Sequence, residues 1–145
     1  MILGLGTDLC DIRRIERTLA RFGERFAMRL FTESERAKAA RRPRMSARVF
    51  AQCFAAKEAC SKALGTGYRQ GVFARDIVLA NHPGGRPYLT LSGGARRRLD
   101  ALTPRGMVAH IDISLSDEYP MAHAIVIASA TAAAPGGGRE PGEVP

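Results

Sequence analysis

Phe54-Ala55-Ala56-Lys57-Glu58-Ala59-Cys60-Ser61-Lys62-Ala63-Leu64-Gly65-Thr66-Gly67 is a run of small residues that carries one carboxylate between two lysines and closes on a glycine pair. The pattern predicts a helix, because Ala, Lys, Glu and Leu are strong helix formers and a glycine just past the last of them is a common helix stop. At about 100° per residue, Phe54, Glu58, Ser61 and Lys62 fall on one side and Cys53, Ala56, Cys60, Ala63 and Leu64 roughly opposite. The helix therefore has a stripe to bury and a stripe for chemistry. Small side chains on the buried stripe let a neighbouring element approach closely and hold Glu58 in place. A fixed carboxylate beside lysines suits a metal ion and a phosphate.

Upstream, Ser46 is placed to cap this helix, which then runs to Leu64. Pro43 ends an earlier helix whose start is marked by Thr32 and Glu35, three residues apart as in a capping box. Ile12, Ile15, Leu19 and Phe22 recur at helical spacing and Gly23 supplies a stop, which predicts a helix over 11–22 with Arg13, Arg14 and Arg21 on its outward face. Residues 2–9 read as a buried strand, with Gly4 and Gly6 where the backbone passes close to another element and Asp8 at the strand's end.

Downstream, Ile77-Val78-Leu79 and Tyr88-Leu89-Thr90-Leu91 flank the turn-rich His82-Pro83-Gly84-Gly85-Arg86-Pro87, a hairpin pattern. Ser92 opens a basic helix through Arg96, Arg97, Arg98 and Leu102. Strands over 107–115 and 121–130, joined by Ser116 to Pro120, predict an antiparallel pair. From Thr131 the chain has almost nothing to bury, so a domain over 1–130 with a disordered tail over 131–145 is expected. The order of elements is that of an α+β domain.

The 145 residues fit one domain, small for an enzyme that must enclose a large substrate alone, which raises the suspicion of an oligomer. Lys and Arg number 22 against 14 Asp and Glu, a balance that favours phosphates, nucleic acid, anionic membranes or an acidic protein partner. Cys10, Cys53 and Cys60 show no paired spacing and read as reduced core residues. The apolar start at Met1 stops at Asp8, too short for a signal peptide or a membrane span, so a cytoplasmic location is expected.

Asp8 and Glu58 are acids in otherwise small or apolar settings, and two oxygen ligands from separate elements suit Mg²⁺, which completes its octahedron with waters and substrate phosphates. Taken singly, each is as readily a turn residue or a solvated helix acid. Taken together with their surroundings, they resemble the holo-acyl-carrier-protein synthases, a family of the phosphopantetheinyl transferases. The resemblance is carried by Ile2-Leu3-Gly4-Leu5-Gly6-Thr7-Asp8-Leu9, by Arg48 through Gly67, by the Gly84-Gly85-Arg86-Pro87-Tyr88 turn and by His110 through Tyr119.

That resemblance implies the phosphopantetheinyl transferase fold, an antiparallel sheet packed on a long helix and shorter ones. It implies transfer of 4'-phosphopantetheine from coenzyme A to a serine of apo-acyl carrier protein, with release of adenosine 3',5'-bisphosphate and activation of the carrier for fatty acid biosynthesis. Asp8 and Glu58 are then the Mg²⁺ ligands. Asp8, Glu58 and Lys62 form the catalytic set, with either Glu58 or a metal-bound water taking the serine proton. Lys57, Ser61, Gly65, Gly85, Arg86 and Pro87 are expected at the coenzyme, although Lys57 reads equally as a structural lysine and Ser61 can bond back to its own helix. Arg86 stands where lysine is common in the family, and Leu115 where some members carry histidine.

Arg14, Arg21, Arg25 and Phe54 are expected to meet the acidic carrier, against plain alternatives of a solvated basic face and core packing. The resemblance also implies a homotrimer with active sites at subunit interfaces. Two other functions compete: a noncatalytic RNA- or DNA-binding module suggested by the basic charge, and a Mg²⁺-dependent phosphohydrolase. The sequence lacks a nucleic-acid motif and the interleaving of aromatic and basic residues that base stacking uses. Neither nucleic acid nor membrane is expected as a partner.

Overall fold

The structure is a computed structural model that describes residues 1–135. It runs β1 (Ile2–Asp11), α1 (Ile12–Phe22), α2 (Glu24–Leu30), α3 (Glu33–Ala40), α4 (Ser46–Ala63), β2 (Ile77–Asn81), β3 (Pro87–Leu91), α5 (Gly93–Leu102), β4 (Met107–Glu118) and β5 (Met121–Ala132). Strands β1, β5 and β4 form an antiparallel sheet in that order, with the last strand in the centre, and β2 and β3 form a separate antiparallel hairpin. This is the α+β fold the element order predicts.

α4 is the spine. Along β5, Ala122, Ala124, Val126, Ala128 and Ala130 alternate inward and are fully buried, and Cys53, Ala56, Cys60, Ala63 and Leu64 of the α4 region are buried with them. Small residues on both surfaces bring the backbones close. Contact is tightest at β1, where a Cβ added to Gly6 would lie 1.8 Å from the Ala59 carbonyl oxygen and one added to Gly4 would lie 1.9 Å from that of Ala63. Only glycine fits at either place, as the expected close backbone approach requires.

Several boundaries differ from expectation. Asp8 lies within β1 rather than at its end, because the strand keeps pairing with β5 as far as Asp11 opposite Met121. Asp11 then caps α1, its carboxylate accepting from the Arg13 amide at 3.0 Å. The α2 helix has no counterpart in the sequence reading. Gly23 stops α1 with φ of 56°, and a new helix starts at the very next residue. The Thr32 and Glu35 capping box forms as expected. Ser46 does not cap α4; it is the first helical residue, and Met45 occupies the cap position after the short 3₁₀ turn at Pro43–Met45.

β5 extends to Ala132, two residues past the expected domain boundary, because Thr131 and Ala132 pair with Val108 and Met107. The expectation of a tail beginning at 131 therefore fails for its first residues. Its remainder, 136–145, lies outside the described residues. No helix among the described residues is long and apolar enough to cross a membrane.

Candidate active site

The close packing of β1 on α4 brings Asp8 to Lys62. The Lys62 ammonium donates to Asp8 Oδ1 at 3.1 Å and to the Thr7 carbonyl at 3.0 Å. The Asp8 side chain is largely covered, and its Oδ2 is buried with no hydrogen-bond partner. An orphaned carboxylate oxygen is costly unless something absent from the protein satisfies it.

Glu58, one turn before Lys62, is half-buried. Burial raises its pKa, and the nearby Asp8 charge raises it further, while Tyr68, Lys62 and Arg14 hold it down. Burial likewise pushes the Tyr68 phenol up, with the Glu58 charge adding to the effect. Two carboxylates that repel each other beside a half-open surface form an arrangement that a divalent cation relieves. Among the described residues no three His, Cys, Asp or Glu side chains gather at one place. Asp8 and Glu58 thus fit a hard cation that takes its other ligands from water and substrate, as Mg²⁺ does, and they do not fit a closed structural site.

Lys57 points the other way. It is 1 % exposed, its ammonium pairs with Glu35 at 2.8 Å and donates to the carbonyls of Ala74 at 3.0 Å and of Ile77, and it faces the Phe31 ring. Three partners use its three N–H donors, so of the two readings Lys57 follows the structural one and not the phosphate contact. Ser61 is corrected similarly: it is buried and donates to the Glu58 carbonyl at 2.8 Å, a bond back to its own helix. Gly65 is exposed with φ of 77° and ends α4, its amide donating to the Lys62 carbonyl.

The remaining coenzyme candidates sit elsewhere. Gly85, Arg86 and Pro87 occupy the β2–β3 turn, and Arg86 reaches Asp112 of β4 at 3.9 Å across exposed surface. With His82 stacked on Tyr88 at 4.3 Å, this turn forms one wall of a cleft of about 260 Å³ closed by Ile111, Asp112 and Ile113. In the sheet order, β1 with Asp8 is one edge and β4 beside this turn is the other. One copy of the chain does not bring the two groups together.

Of the expected carrier contacts, the Arg14 guanidinium lies over the Phe54 ring, 5.6 Å from its centroid. Phe54 is half-buried and packs against the core, as the packing reading expects. Arg21 is exposed over Phe22, and exposed Arg25 lies on α2, beyond the break at Gly23. Two residues escaped the sequence reading. Tyr68 lies in the loop after the glycine pair, where no periodicity points to it, and Arg98 donates to the Leu64 carbonyl at 2.9 Å, capping the end of α4. The run Arg96-Arg97-Arg98 signals charge but not which member turns inward.

A family model described as the 4'-phosphopantetheinyl transferase superfamily matches residues 4–122. A holo-[acyl-carrier-protein] synthase of Rhodopseudomonas palustris (strain BisB5) is 59% identical over 133 residues, covering 90% of this chain and 96% of the relative. One from Sphingopyxis alaskensis is 57% identical over 130 residues, covering 90% and 98%. The crystal structure of holo-[acyl-carrier-protein] synthase from Neisseria meningitidis superposes with a TM-score of 0.78 at 33% identity, covering 89% of this chain and 99% of that one. The Helicobacter pylori enzyme, solved in complex with coenzyme A, gives 0.72 at 30% identity, covering 86% and 99%. With the Asp8, Glu58 and Lys62 arrangement and the sheet on which it rests, these matches identify the chain as an enzyme of the 4'-phosphopantetheinyl transferase superfamily and a member of its holo-[acyl-carrier-protein] synthase family.

Proposed function

We propose that this enzyme transfers 4'-phosphopantetheine from coenzyme A to a serine of an apo-acyl carrier protein, releasing adenosine 3',5'-bisphosphate and readying the carrier for fatty acid biosynthesis. The observation that carries the reading is the buried, unpartnered Oδ2 of Asp8 beside Glu58 and Lys62. Mg²⁺ bound by the two carboxylates would neutralise charge on the pyrophosphate and orient it. Lys62, half-exposed and already aimed at Asp8, places a point charge where the leaving phosphate develops its own. Glu58 takes the serine proton, its basicity raised by burial and by Asp8. The serine oxygen then forms the new P–O bond as the bond to the bisphosphate breaks.

The split of the coenzyme candidates between opposite sheet edges supports a site completed by a second copy of the chain. So does the outer face of the sheet, where Leu5 and Leu9 of β1 are each 64% exposed and Ile125 and Ile127 of β5 lie beside them. A trimer that shares these faces joins the Asp8 edge of one copy to the Arg86 turn of another. The three cysteines are free and buried, which supports the cytoplasmic expectation.

Incubating the protein with coenzyme A, Mg²⁺ and an apo-acyl carrier protein, then weighing the carrier, tests the reading. A Mg²⁺-dependent phosphopantetheine increment is expected. Coenzyme breakdown with an unmodified carrier would make the protein a hydrolase, and no reaction with either would refute catalysis at this site.

A further inference from the structure

At the end of the β4–β5 hairpin, the Asp117 carboxylate accepts from Arg48 Nε and Nη2, both at 2.6 Å, and from Gln52 Nε2 at 2.5 Å. Arg48 and Gln52 are successive turns of α4, ten and six residues before Glu58 on the same rod. The other side of the hairpin end holds α1. The Pro120 carbonyl accepts the Ile12 amide at 2.7 Å, and the Tyr119 hydroxyl donates to Glu16 at 3.2 Å. Asp117, Tyr119 and Pro120, on one chain segment, thus join the start of α1 to the first half of α4. No hydrogen bond or ion pair joins this cluster to Asp8, Glu58 or Lys62, and its three side chains line one cleft with Gly85 of the β2–β3 turn.

We propose that Arg48, Asp117 and Gln52 are positioning residues for carrier recognition, a clamp that fixes the angle at which α1 and its arginines stand over the metal-binding helix. The inference rests on the transferase reading given above. Holding α1 to the sheet does not require the clamp, because Ile12 and Ile15 are buried in the core and anchor it there. The clamp adds a tie at the start of the helix, beyond the packing of Ile12, Ile15 and Leu19, that sets its inclination. Arg14, stacked on Phe54, sits two residues from the clamped end of α1 and faces the same side of α4 as Glu58. A tilt of α1 moves this guanidinium, and with it a docked carrier, relative to the site that must receive the carrier's serine. Misplacement by about 1 Å can cost a reaction up to 10²-fold. A planar guanidinium held at two points by a carboxylate resists that tilt better than a single bond does.

The test uses steady-state kinetics of the full chain with apo-carrier and coenzyme A varied in turn. Asp117→Asn keeps the shape and an acceptor for Gln52 but removes the charge; Arg48→Lys keeps the charge but not the fork. Each is expected to raise the KM for the carrier about fivefold or more while that for coenzyme A changes less than twofold. Arg14→Ala should weaken the carrier less in the Asp117→Asn background than in the native chain, since residues acting through one element are not additive. A purely structural cluster would lower the melting temperature and leave both KM values alone. An unchanged carrier KM in both variants, equal rises in both KM values, or strict additivity with Arg14→Ala overturns the clamp. Failure of the native chain to modify any carrier would instead overturn the transferase reading.

Discussion

Two lysines five positions apart on α4 each pair with a carboxylate, and the pairs have opposite uses. Lys57 and Glu35 are sealed, at 1% and 0% side-chain exposure; Lys62 and Asp8 stand at 51% and 15%. In the sealed pair every donor and acceptor is engaged: Glu35 also accepts from the amides of Thr32 and Leu79, and Lys57 from α4 reaches into the segment that starts β2. In the open pair one oxygen is buried and left without a partner. A satisfied buried ion pair fixes which elements pack together, whereas an unsatisfied one at a surface keeps an oxygen available to a ligand. Satisfaction, rather than the presence of opposite charges, separates architecture from chemistry on this helix.

Lys57→Met should give the largest effect. It leaves Glu35 charged and buried without its cation, and the expected cost is roughly 3–5 kcal/mol in urea unfolding. The KM for coenzyme A of whatever stays folded should not move. A tenfold rise in that KM with an unchanged urea midpoint would show that Lys57 touches the coenzyme after all. Asp8→Asn and Glu58→Gln break the other side of the comparison, and transfer should fall about 10²–10³-fold, or about 3–4 kcal/mol of transition-state binding. Their melting temperatures should hold or rise, because each removes one of two repelling carboxylates and, in Asp8, only an exposed pairing with Lys62. Loss of fold in either variant would make Asp8 and Glu58 structural.

Much of this comparison is legible in the sequence, and the part that is not has a physical cause. The two stripes of α4 follow from its 3.6-residue period, and Gly4 and Gly6 announce a close approach without saying to which element, so the pairing of Asp8 with Glu58 comes from the family resemblance rather than from the residues alone. Lys57 lies on the border of the two stripes, where the period favours neither side; its partner Glu35 lies 22 positions away, in a helix for which the sequence marks the two ends and not the buried face. Ser61 faces the chemical stripe by angle but is buried, and its hydroxyl turns back to the Glu58 carbonyl. The helix α2 is hidden because Gly23 reads as an end and not as a joint. The division of coenzyme candidates between the two edges of the sheet depends on β5 lying in the centre, a pairing order that strand patterns do not encode.

Gly6→Ala attacks both sides of the comparison at once, at somewhat lower cost. Its Cβ would meet the Ala59 carbonyl oxygen at 1.8 Å and the Ala63 amide nitrogen at 2.7 Å, both backbone atoms that cannot swing aside. The strand must lift, for an expected loss of about 1–3 kcal/mol in unfolding free energy. Because Asp8 rides on the same strand two residues on, transfer by the folded fraction should fall as well, unlike in Lys57→Met. A drop in stability with full activity per folded molecule would show that Asp8 is held by the sheet and not by its contact with α4.

Between the two lysine pairs lies an ion pair of intermediate exposure, Arg48 at 38% and Asp117 at 16%, and it should give the smallest effect. The Arg48 hydrogen bonds are the main cause that lowers the Asp117 pKa, and Gln52 adds to them. A carboxylate whose folded pKa lies below its unfolded value of about 4 stabilises the protein above that value. That stabilisation is lost as pH falls from the unfolded pKa through the folded one. Urea midpoints of the native chain and of Asp117→Asn should therefore differ near neutral pH by about 1 kcal/mol, as expected for a well-aligned pair near the surface. The gap should close as pH drops below about 4. Asp11, whose pKa Arg13 holds down to about 2, titrates in both proteins and cancels from the difference. A gap that persists in acid would mean that shape, not charge, joins the hairpin to α4, and would place this pair with the packed side of the helix rather than between its two sides.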